Sequence, residues 1–266
     1  MSEIADRFRA LHDGEAPLLL PNPWDVGSAK LLASLGFQAL ATTSSGYAAT
    51  LGRLDGSVTR DEALSHAAAI VGATELPVNA DLENGFADDP GAVGETVRLA
   101  VDAGLAGCSV EDYTGREDDE FYPLEAAVER VAAAAEAAGG RLVITARSEN
   151  YIHGRPDLAD TIARLQAFQE AGADVLHAPG LRAIEDIRSV VSSLDRPVNV
   201  LALPGAPSVA ELGAAGVRRV SVGGGFAFAA LGALVAAGRE LLEQGTYGFW
   251  ENAAPGAKAA RGAFGA

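Results

Sequence analysis

The chain of 266 residues carries 20 basic and 36 acidic side chains, which gives a formal net charge of −16 and a sequence pI near 4.6. A surface this acidic repels the phosphates of nucleic acids and of anionic membranes, so we expect neither as a partner. The single cysteine excludes an intrachain disulfide framework and is typical of a protein from a reducing compartment.

Residues 1–15 contain no apolar signal core, and we expect no segment of the chain to be apolar enough to span a bilayer. These observations predict a cytoplasmic protein. The length is typical of a single α/β barrel. Because hydrophobic residues make up 48% of the chain and aromatic ones only 6%, the predicted core consists mainly of Ala, Val and Leu.

From residue 18 onward, short apolar runs alternate with longer amphipathic stretches, a pattern that predicts strands alternating with helices. The predicted strands cover 18–25, 37–43, 77–81, 105–111, 141–147, 174–177, 197–202 and 217–222. The predicted helices cover 28–34, 60–72, 91–103, 124–138, 157–171, 183–194, 209–214 and 226–243.

Several of the predicted helices end in a glycine just before the next strand, where a left-handed residue stops a helix. These glycines are Gly36, Gly104, Gly172 and Gly216. Eight strand–helix units with short connections predict a parallel sheet closed on itself, a (β/α)8 TIM barrel in the α/β class. We expect one catalytic domain over residues 1–245. The tail over 246–266, with its aromatic Tyr247 and Trp250, is expected to be a helical or tail extension that docks on the barrel or on a neighbouring subunit.

Acidic residues stand at the ends of two consecutive predicted strands. Asp81 and Glu83 are two residues apart, so both would point to one face if the strand continued through them. Glu111 and Asp112 close the next strand. Helix caps and turn residues are the simpler explanation for such carboxylates, but their repetition also fits a divalent cation held by oxygen ligands, with Mg²⁺ as the expected ion and Mn²⁺ as the alternative.

Other polar residues follow the remaining strands. In a barrel of this type the carboxyl ends of the strands meet at one mouth, which is where active sites form. One arginine among several carboxylates is reasonable if a metal neutralises the acids and the arginine binds a substrate carboxylate. The residues expected at this mouth, besides the acids above, are Ser45, Gly46, Asp55, Arg147, Glu149 and His177.

The order of these motifs resembles that of the isocitrate lyase/phosphoenolpyruvate mutase superfamily. Ser-Ser-Gly follows the second strand, acid-x-acid-x-Gly the third, Val-Glu-Asp the fourth and Ala-Arg ends the fifth. The resemblance extends from residue 21 to about 245. It implies an Mg²⁺-dependent enzyme that makes or breaks a C–C or P–C bond in α-oxo acids or in related dicarboxylates.

Transferred by position, the resemblance also implies roles for individual residues. Asp81 would be the direct metal ligand, and Asp55, Glu83 and Glu111 would hold metal-bound waters. The substrate carboxylate would be bound by Arg147, with Ser45 and the backbone of Gly46 and Tyr47 at the same end, and His177 stands where the mutases have a histidine. The superfamily commonly forms tetramers, so we expect a homotetramer in which the apolar helix over 226–242 packs on a neighbouring subunit or is exchanged with it.

The sequence departs from each branch of the superfamily. Glu83 replaces the usual Asp of the metal motif, and residues 113–122 contain neither the loop cysteine of the lyases nor the Lys, Asn and Ser or Thr of the mutase gate. Cys108 is expected to be a buried packing residue.

Three hypotheses follow. The first is a lyase that cleaves a C–C bond through an enolate, like oxaloacetate decarboxylase or 2-methylisocitrate lyase, with water, Tyr47 or His177 as proton donor. The second is phosphoenolpyruvate mutase or phosphonopyruvate hydrolase chemistry, and the third an oxo-acid-binding barrel without turnover.

Overall fold

The computed structural model describes residues 2–116, 118 and 120–265 and has the predicted α/β barrel architecture. Its eight strands are β1 (Leu18–Leu20), β2 (Leu40–Ala41), β3 (Val78–Asp81), β4 (Gly107–Glu111), β5 (Val143–Arg147), β6 (Val175–His177), β7 (Val198–Leu201) and β8 (Arg219–Ser221). The strand order is β1-β8-β7-β6-β5-β4-β3-β2, and all the pairings are parallel. The backbone N–H of Ala41 donates to the carbonyl of Pro21 at 3.0 Å, which brings the two ends of the sheet together.

The eight predicted helices are confirmed, with small shifts at their ends. The four predicted stop glycines adopt the left-handed conformation, with φ of 94°, 80°, 102° and 90° for Gly36, Gly104, Gly172 and Gly216. The helices of the described residues are α1 (Glu3–Ala10), α2 (Val26–Ser34), α3 (Ser44–Thr50), α4 (Arg60–Val71), α5 (Pro90–Asp102), α6 (Leu124–Ala138), α7 (Leu158–Glu170), α8 (Ile184–Ser192), α9 (Val209–Ala214), α10 (Gly225–Gln244) and α11 (Trp250–Phe264).

Two helices, α1 and α3, were not predicted, whereas the predicted C-terminal extension is confirmed as a helix. The amphipathic α1 packs under the barrel, where Phe8 is fully buried against Leu18 of β1 and Val143 of β5. The short α3 begins directly after β2, because Thr43 caps its amino terminus. The tail forms α11, which packs on α2 of the same chain, so it docks on its own barrel as one of the two expected alternatives.

The apolar core lies between the sheet and its surrounding helices, whereas the inside of the barrel is largely polar. Cys108 is buried in the outer layer with Val97 and Ala134, as predicted. Inside the barrel, by contrast, polar side chains are buried at several levels. These are Asn79, Ser109, Thr145, His177, Asn199, Arg219 and Ser221.

Helix α10 is long and apolar but barely covered. Its most apolar window has a mean hydropathy of 1.5 and only 6% of that window is buried, so by length and composition this one helix of the described residues could cross a membrane. The expectation that no segment reaches that threshold is therefore wrong. Length and composition do not separate a spanning helix from one that packs on another polypeptide. The large exposed side chains of α10 include Phe228, Leu234 and Leu242.

A buried ion pair connects α7 to the loops above β4 and β5. Arg164 Nη1 donates to Asp112 Oδ2 at 3.1 Å and to the carbonyl of Tyr122 at 3.0 Å, and the side chains of Arg164 and Asp112 are only 6% and 0% exposed. The other oxygen of Asp112 accepts the N–H of Glu149 at 2.8 Å. Removing the arginine would therefore leave a buried carboxylate without its counter-ion.

We predict that Arg164→Met lowers the free energy of unfolding by about 3 kcal/mol, because breaking a buried ion pair on one side strands the other charge. The matched control is Arg188→Met, which removes the exposed Arg188–Glu185 pair at 2.7 Å and should change stability by less than about 0.5 kcal/mol. Urea denaturation followed by circular dichroism measures both variants. Equal losses in the two variants would contradict the prediction.

His12, in the turn after α1, is buried as a neutral imidazole beneath the barrel. Its Nδ1 lies 3.0 Å from the carbonyl of Phe8, which can only accept, so Nδ1 carries the hydrogen. Nε2 lies 3.5 Å from Arg219 Nη1, which can only donate. Burial, together with the charge of Arg219, lowers the pKa of His12 to about 4.

The lowered pKa of His12 predicts a loss of stability in mild acid. Because the unfolded chain binds a proton near pH 6.5 and the folded one only near pH 4, the stability is fully present above pH 6.5 and declines below it. Between pH 7 and pH 5 we expect the free energy of unfolding to fall by about 2 kcal/mol more in the wild type than in His12→Gln. Urea denaturation at both pH values tests this, and an unchanged pH dependence in the variant would refute it.

Candidate active site

Arg147 lies at the centre of an acidic cluster at the carboxyl ends of β3, β4 and β5. Its Nη1 is 3.2 Å from Asp81 Oδ1 and 2.9 Å from Glu111 Oε1. Its Nε and Nη2 donate to the two oxygens of Glu149 at 2.8 and 3.2 Å, a forked arrangement. The four side chains are between 2% and 17% exposed, so these charges interact with little screening by water.

Asp81 accepts hydrogen bonds from several groups besides the arginine. Besides Arg147, it accepts the backbone N–H of Ser44 at 3.1 Å and the hydroxyl of Ser109 at 3.4 Å. Its own N–H donates to Thr42 Oγ1 at 2.9 Å. The carboxylate is therefore oriented by groups on both neighbouring strands as well as by the arginine.

Glu83 reaches the site by a route that strand alternation does not describe. β3 ends at Asp81, and Glu83 lies in the turn that follows, with φ of 47°, in the left-handed region that non-glycine residues seldom adopt. The carbonyl of Glu83 accepts the N–H of Glu111 at 3.0 Å. Glu83 does line the mouth, as expected. It does not do so by strand alternation, because the strand ends at Asp81 and the backbone at Glu83 is not extended.

The strained turn is supported from outside by Arg130 of α6. This buried guanidinium donates to the carbonyls of Asn84 and Ala87, and to that of Asp88 at 2.7 Å. It also lies over the ring of Tyr122, 3.9 Å from the ring centroid. Backbone strain of this kind persists only where the surrounding structure fixes it, and it is frequent at functional sites.

The acids outnumber the bases at the mouth, and their pKa values reflect this. Burial, with the charges of Asp81 and Asp55, raises the pKa of Glu83 to about 8. Burial raises the pKa of Glu111 well above its ordinary value, against the pull of Arg147 and with the help of Glu149. Asp55 lies in an exposed loop and lines the same mouth. A second positive charge would relieve this repulsion.

The described residues contain no group of three or more His, Cys, Asp or Glu side chains arranged to hold a metal ion. Arg147 instead supplies the positive charge between Asp81 and Glu111. The donor chemistry nevertheless fits a hard divalent cation, because carboxylate oxygens with excess negative charge are the ligands that Mg²⁺ prefers. The residues at hand for it are Asp55, Asp81, Glu83 and Glu111.

The predicted substrate-binding residues of α3 divide between two sides of the helix. Ser45 lines the inner cavity, and its hydroxyl lies 3.2 Å from that of Thr43. Gly46 lines a separate apolar cavity with Trp24 and Ala227, and a Cβ there would lie 2.6 Å from Thr43 Cγ2. Tyr47 is not among the described residues that line the inner or the outer cavity. Its ring stacks on the ring of His66, with the two centroids 3.9 Å apart.

The inner cavity, about 240 Å³, lies inside the barrel below Arg147. His177 lines it at the end of β6 and is 6% exposed, and its Nε2 has no hydrogen-bond partner among the described residues. Burial and the charge of Arg147 lower the pKa of His177 well below its ordinary value, so the imidazole is neutral.

The outer cavity, about 880 Å³, lies above the acidic cluster and shares Arg147, Asp55 and Ser44 with the inner one. The Tyr113 ring is stacked on that of His153 at 3.7 Å along one wall. Tyr113 also forms an antiparallel β-bridge with Phe121. Both residues belong to the segment 113–122, which differs in sequence from the lyase and mutase branches of the superfamily.

Sequence reasoning gave no role to two buried residues of this site. Glu149 was expected at the mouth but without a role. Because it lies two residues after Arg147, the spacing could have indicated that the two side chains meet. Arg219 had a weaker signal, because Arg218 and Arg219 are adjacent and alternation places one of them inside without saying which. The structure exposes Arg218 and buries Arg219 to 2% exposure in the barrel.

Comparison with known proteins gives this geometry its context. A solved structure of a proposed lyase/mutase from Burkholderia cenocepacia J2315 is 51% identical, with a TM-score of 0.95 over 98% of this chain and 96% of that one. The 2-methylisocitrate lyase of Halalkalibacterium halodurans is 31% identical over 74% of this chain and 66% of its own length. The oxaloacetate decarboxylase of Chromohalobacter salexigens is 29% identical over 86% of this chain and 82% of its own.

The family model described as phosphoenolpyruvate phosphomutase matches residues 8–242, which is nearly the whole barrel and most of α10. The expected superfamily is therefore confirmed. The chain belongs to the phosphoenolpyruvate phosphomutase family, within the phosphoenolpyruvate mutase/isocitrate lyase superfamily.

Proposed function

We propose that this protein is an Mg²⁺-dependent lyase that breaks a C–C bond of an α-oxo or 2-hydroxy acid. The observation that carries the proposal is the buried guanidinium of Arg147 within a cluster of carboxylates, at the mouth where barrel enzymes place their chemistry. A site that needs more positive charge, in a family of lyases and mutases, fits a cation together with an anionic substrate.

Arg147 would bind the substrate carboxylate. Glu149 holds its Nε and Nη2 in a forked pair, which fixes the plane of the guanidinium. Its Nη1 contacts Asp81 and Glu111 in this structure, and these are two of the proposed metal residues. With a cation as the counter-ion of those carboxylates, Nη1 would be available to the substrate, and Glu149 would keep the guanidinium oriented.

Asp81 would hold the ion directly, with Asp55, Glu83 and Glu111 holding its waters. The ion would supply a Lewis acid that draws negative charge from the α-oxo oxygen as the C–C bond breaks. Ser45 and Arg147 would keep the carboxylate end of the substrate fixed, so that the breaking bond stands perpendicular to the plane of the enolate that is left.

His177 is the better placed of the two proton-handling candidates. Its neutral ring and unpartnered Nε2 in the inner cavity allow it to hydrogen-bond the reacting acid. The Tyr47 ring is occupied by its stack on His66. With neither cysteine nor histidine in residues 113–122, protonation of the enolate would fall to water, which the neutral His177 would hydrogen-bond and orient, and this favours decarboxylation over a 2-methylisocitrate lyase reaction.

The phosphomutase description of the family model favours a second candidate, chemistry at a P–C bond. The same anion-binding mouth would then stabilise a transferring phosphoryl group. The gate residues of the mutases are missing from residues 113–122, so we rank this candidate second. Binding of an oxo acid without turnover is the outcome if neither reaction occurs.

Self-association would cover helix α10. Its exposed side chains Phe228, Leu234 and Leu242 form more apolar surface than a single helix of a monomer ordinarily shows. We propose that a second copy of the chain covers this helix in a homotetramer, as the superfamily resemblance implies.

The reaction is tested by following pyruvate release from oxaloacetate, 2-methylisocitrate, 2,3-dimethylmalate and phosphonopyruvate. We expect turnover of oxaloacetate that EDTA abolishes and that Mg²⁺ or Mn²⁺ restores. Turnover of phosphonopyruvate alone, either to pyruvate and phosphate by hydrolysis or to phosphoenolpyruvate by isomerisation, would favour the P–C candidate. Turnover that is indifferent to chelation would defeat the proposal.

Asp81→Asn should lower kcat/KM at least about a hundredfold, because it removes the charge that holds the ion while keeping the shape of the side chain. Its control is Asp61→Asn, which removes an exposed carboxylate paired with Arg60 at 3.2 Å and should leave the rate within about twofold. Steady-state kinetics at saturating Mg²⁺ compares the two, and similar rates in both variants would exclude Asp81 as a metal ligand.

Tyr47→Phe and His177→Gln separate the two proton-handling candidates. We expect Tyr47→Phe to keep activity within about threefold, since the ring stack does not need the hydroxyl. His177→Gln should lower kcat at least about tenfold, the range of a lost hydrogen bond to a charged reacting group. The reverse order of effects would return the role to Tyr47.

A further inference from the structure

A buried arginine that has no carboxylate partner among the described residues forms the floor of the inner cavity. Arg219 Nε donates to Asn199 Oδ1 at 2.9 Å, Nη2 to Thr145 Oγ1 at 3.0 Å, and Nη1 lies 3.5 Å from His12 Nε2. All three acceptors are neutral. Two of the five N–H groups of this guanidinium have no acceptor among the described residues.

Arg219 belongs to a row of side chains that runs from the mouth to the floor of the cavity. Arg147 is registered with His177, His177 with Asn199, and Asn199 with Arg219, on four successive strands. Registered residues of neighbouring strands point to one face of a sheet, and all four line the inner cavity. The cavity therefore has an arginine at each end of one row, with His177 and Asn199 between them.

The unpartnered Nε2 of His177 lies within the same row. His177 is 6% exposed, and a buried polar atom without a partner is costly unless a ligand or water satisfies it. Two carboxylates, Asp55 and Asp81, also line this cavity, but they do so from its mouth, because Asp81 ends β3 and Asp55 lies in the loop between α3 and α4. An anion in the cavity would meet Arg219, His177 and Asn199 without meeting a negative charge at that depth.

The environment of this unpaired cation also shifts its pKa. Burial, together with the charge of Arg147, lowers the pKa of Arg219 to about 9, so the guanidinium is still charged at neutral pH. A buried charge of this kind is stabilised by an opposite charge brought close to it.

We propose that Arg219, with His177 and Asn199, forms a subsite for the second carboxylate of a dicarboxylic substrate, whose α-oxo or 2-hydroxy acid end lies at Arg147. The inference rests on the proposed function for the position of the first carboxylate. In this subsite Arg219 selects dicarboxylic over monocarboxylic acids. The lyase chemistry at the mouth does not itself require such a selection.

The test compares acids that differ only in the second carboxylate. Isothermal titration calorimetry in Mg²⁺ measures 2-oxoglutarate against 2-oxopentanoate, and malate against 2-hydroxybutanoate, so that two chain lengths are covered. We expect at least one dicarboxylate to bind about tenfold more tightly than its partner, the range of a charge-assisted hydrogen bond. Equal binding within both pairs would overturn the subsite.

Arg219→Gln should abolish the preference by weakening only the dicarboxylate, with the monocarboxylate unchanged. The matched control is Arg218→Gln, which removes the same charge from the exposed residue just before β8 and should keep the preference. An equal weakening of both acids in Arg219→Gln would mean that the residue only supports the fold, and would refute the proposal.

Asn199→Asp tests the same idea with the arginine in place. It sets a carboxylate where Asn199 Oδ1 now accepts from Arg219, which supplies an internal counter-ion. We expect the melting temperature to hold or rise and the dicarboxylate preference to disappear. A retained preference in this folded variant would overturn the proposal even if Arg219→Gln failed to fold.

The experiment separates this inference from the proposed reaction. A dicarboxylate preference that depends on Arg219 supports the subsite even if no substrate is turned over. Turnover of oxaloacetate without any such preference supports the lyase and refutes the subsite. Phosphonopyruvate in the same titration covers the other anionic group, and binding tighter than that of both dicarboxylates would overturn the assignment to a carboxylate.

Discussion

The ion pairs of Arg147 are the interaction on which the organisation of this site depends. One buried guanidinium joins the ends of β3, β4 and β5 through Asp81, Glu111 and Glu149, and the loops above those strands are fixed around it. Breaking one of these contacts would leave buried carboxylates close together without a positive charge between them. Burial and neighbouring carboxylates already raise the pKa values of Glu83 and Glu111. The architecture thus maintains a local excess of negative charge, and a site of this kind attracts a cation.

The polar interior separates this barrel from one filled by packed aliphatic layers. The apolar core lies outside the sheet, where residues such as Cys108 and Ile144 pack against the helices. Inside, Arg147, His177, Asn199 and Arg219 form a polar row along four strands. The barrel wall therefore supplies rigidity while its interior remains available for an anionic ligand, with acids restricted to the mouth and a cation at the floor.

Much of this arrangement could be predicted from the sequence, because strand alternation and helix-stopping glycines such as Gly104 and Gly172 are local signals. The strand ends placed Asp81, Glu111, Arg147 and His177 at one mouth for the same reason. Three features depend on non-local contacts and were not predictable. Glu83 needs a left-handed backbone supported by Arg130 from another helix, Tyr47 turns toward His66, and the inward choice of Arg219 over Arg218 is set by barrel closure.

The central claim is that the carboxylates around Arg147 bind a divalent cation together with an oxo acid. A crystal structure of the protein grown with Mn²⁺ and oxalate tests it most directly, because manganese is identified by its anomalous scattering. The account predicts an anomalous peak within coordination distance of Asp81, with oxalate contacting Arg147 Nη1 in place of Asp81 and Glu111. Density without such a peak, and with Arg147 still paired to both carboxylates, would contradict it.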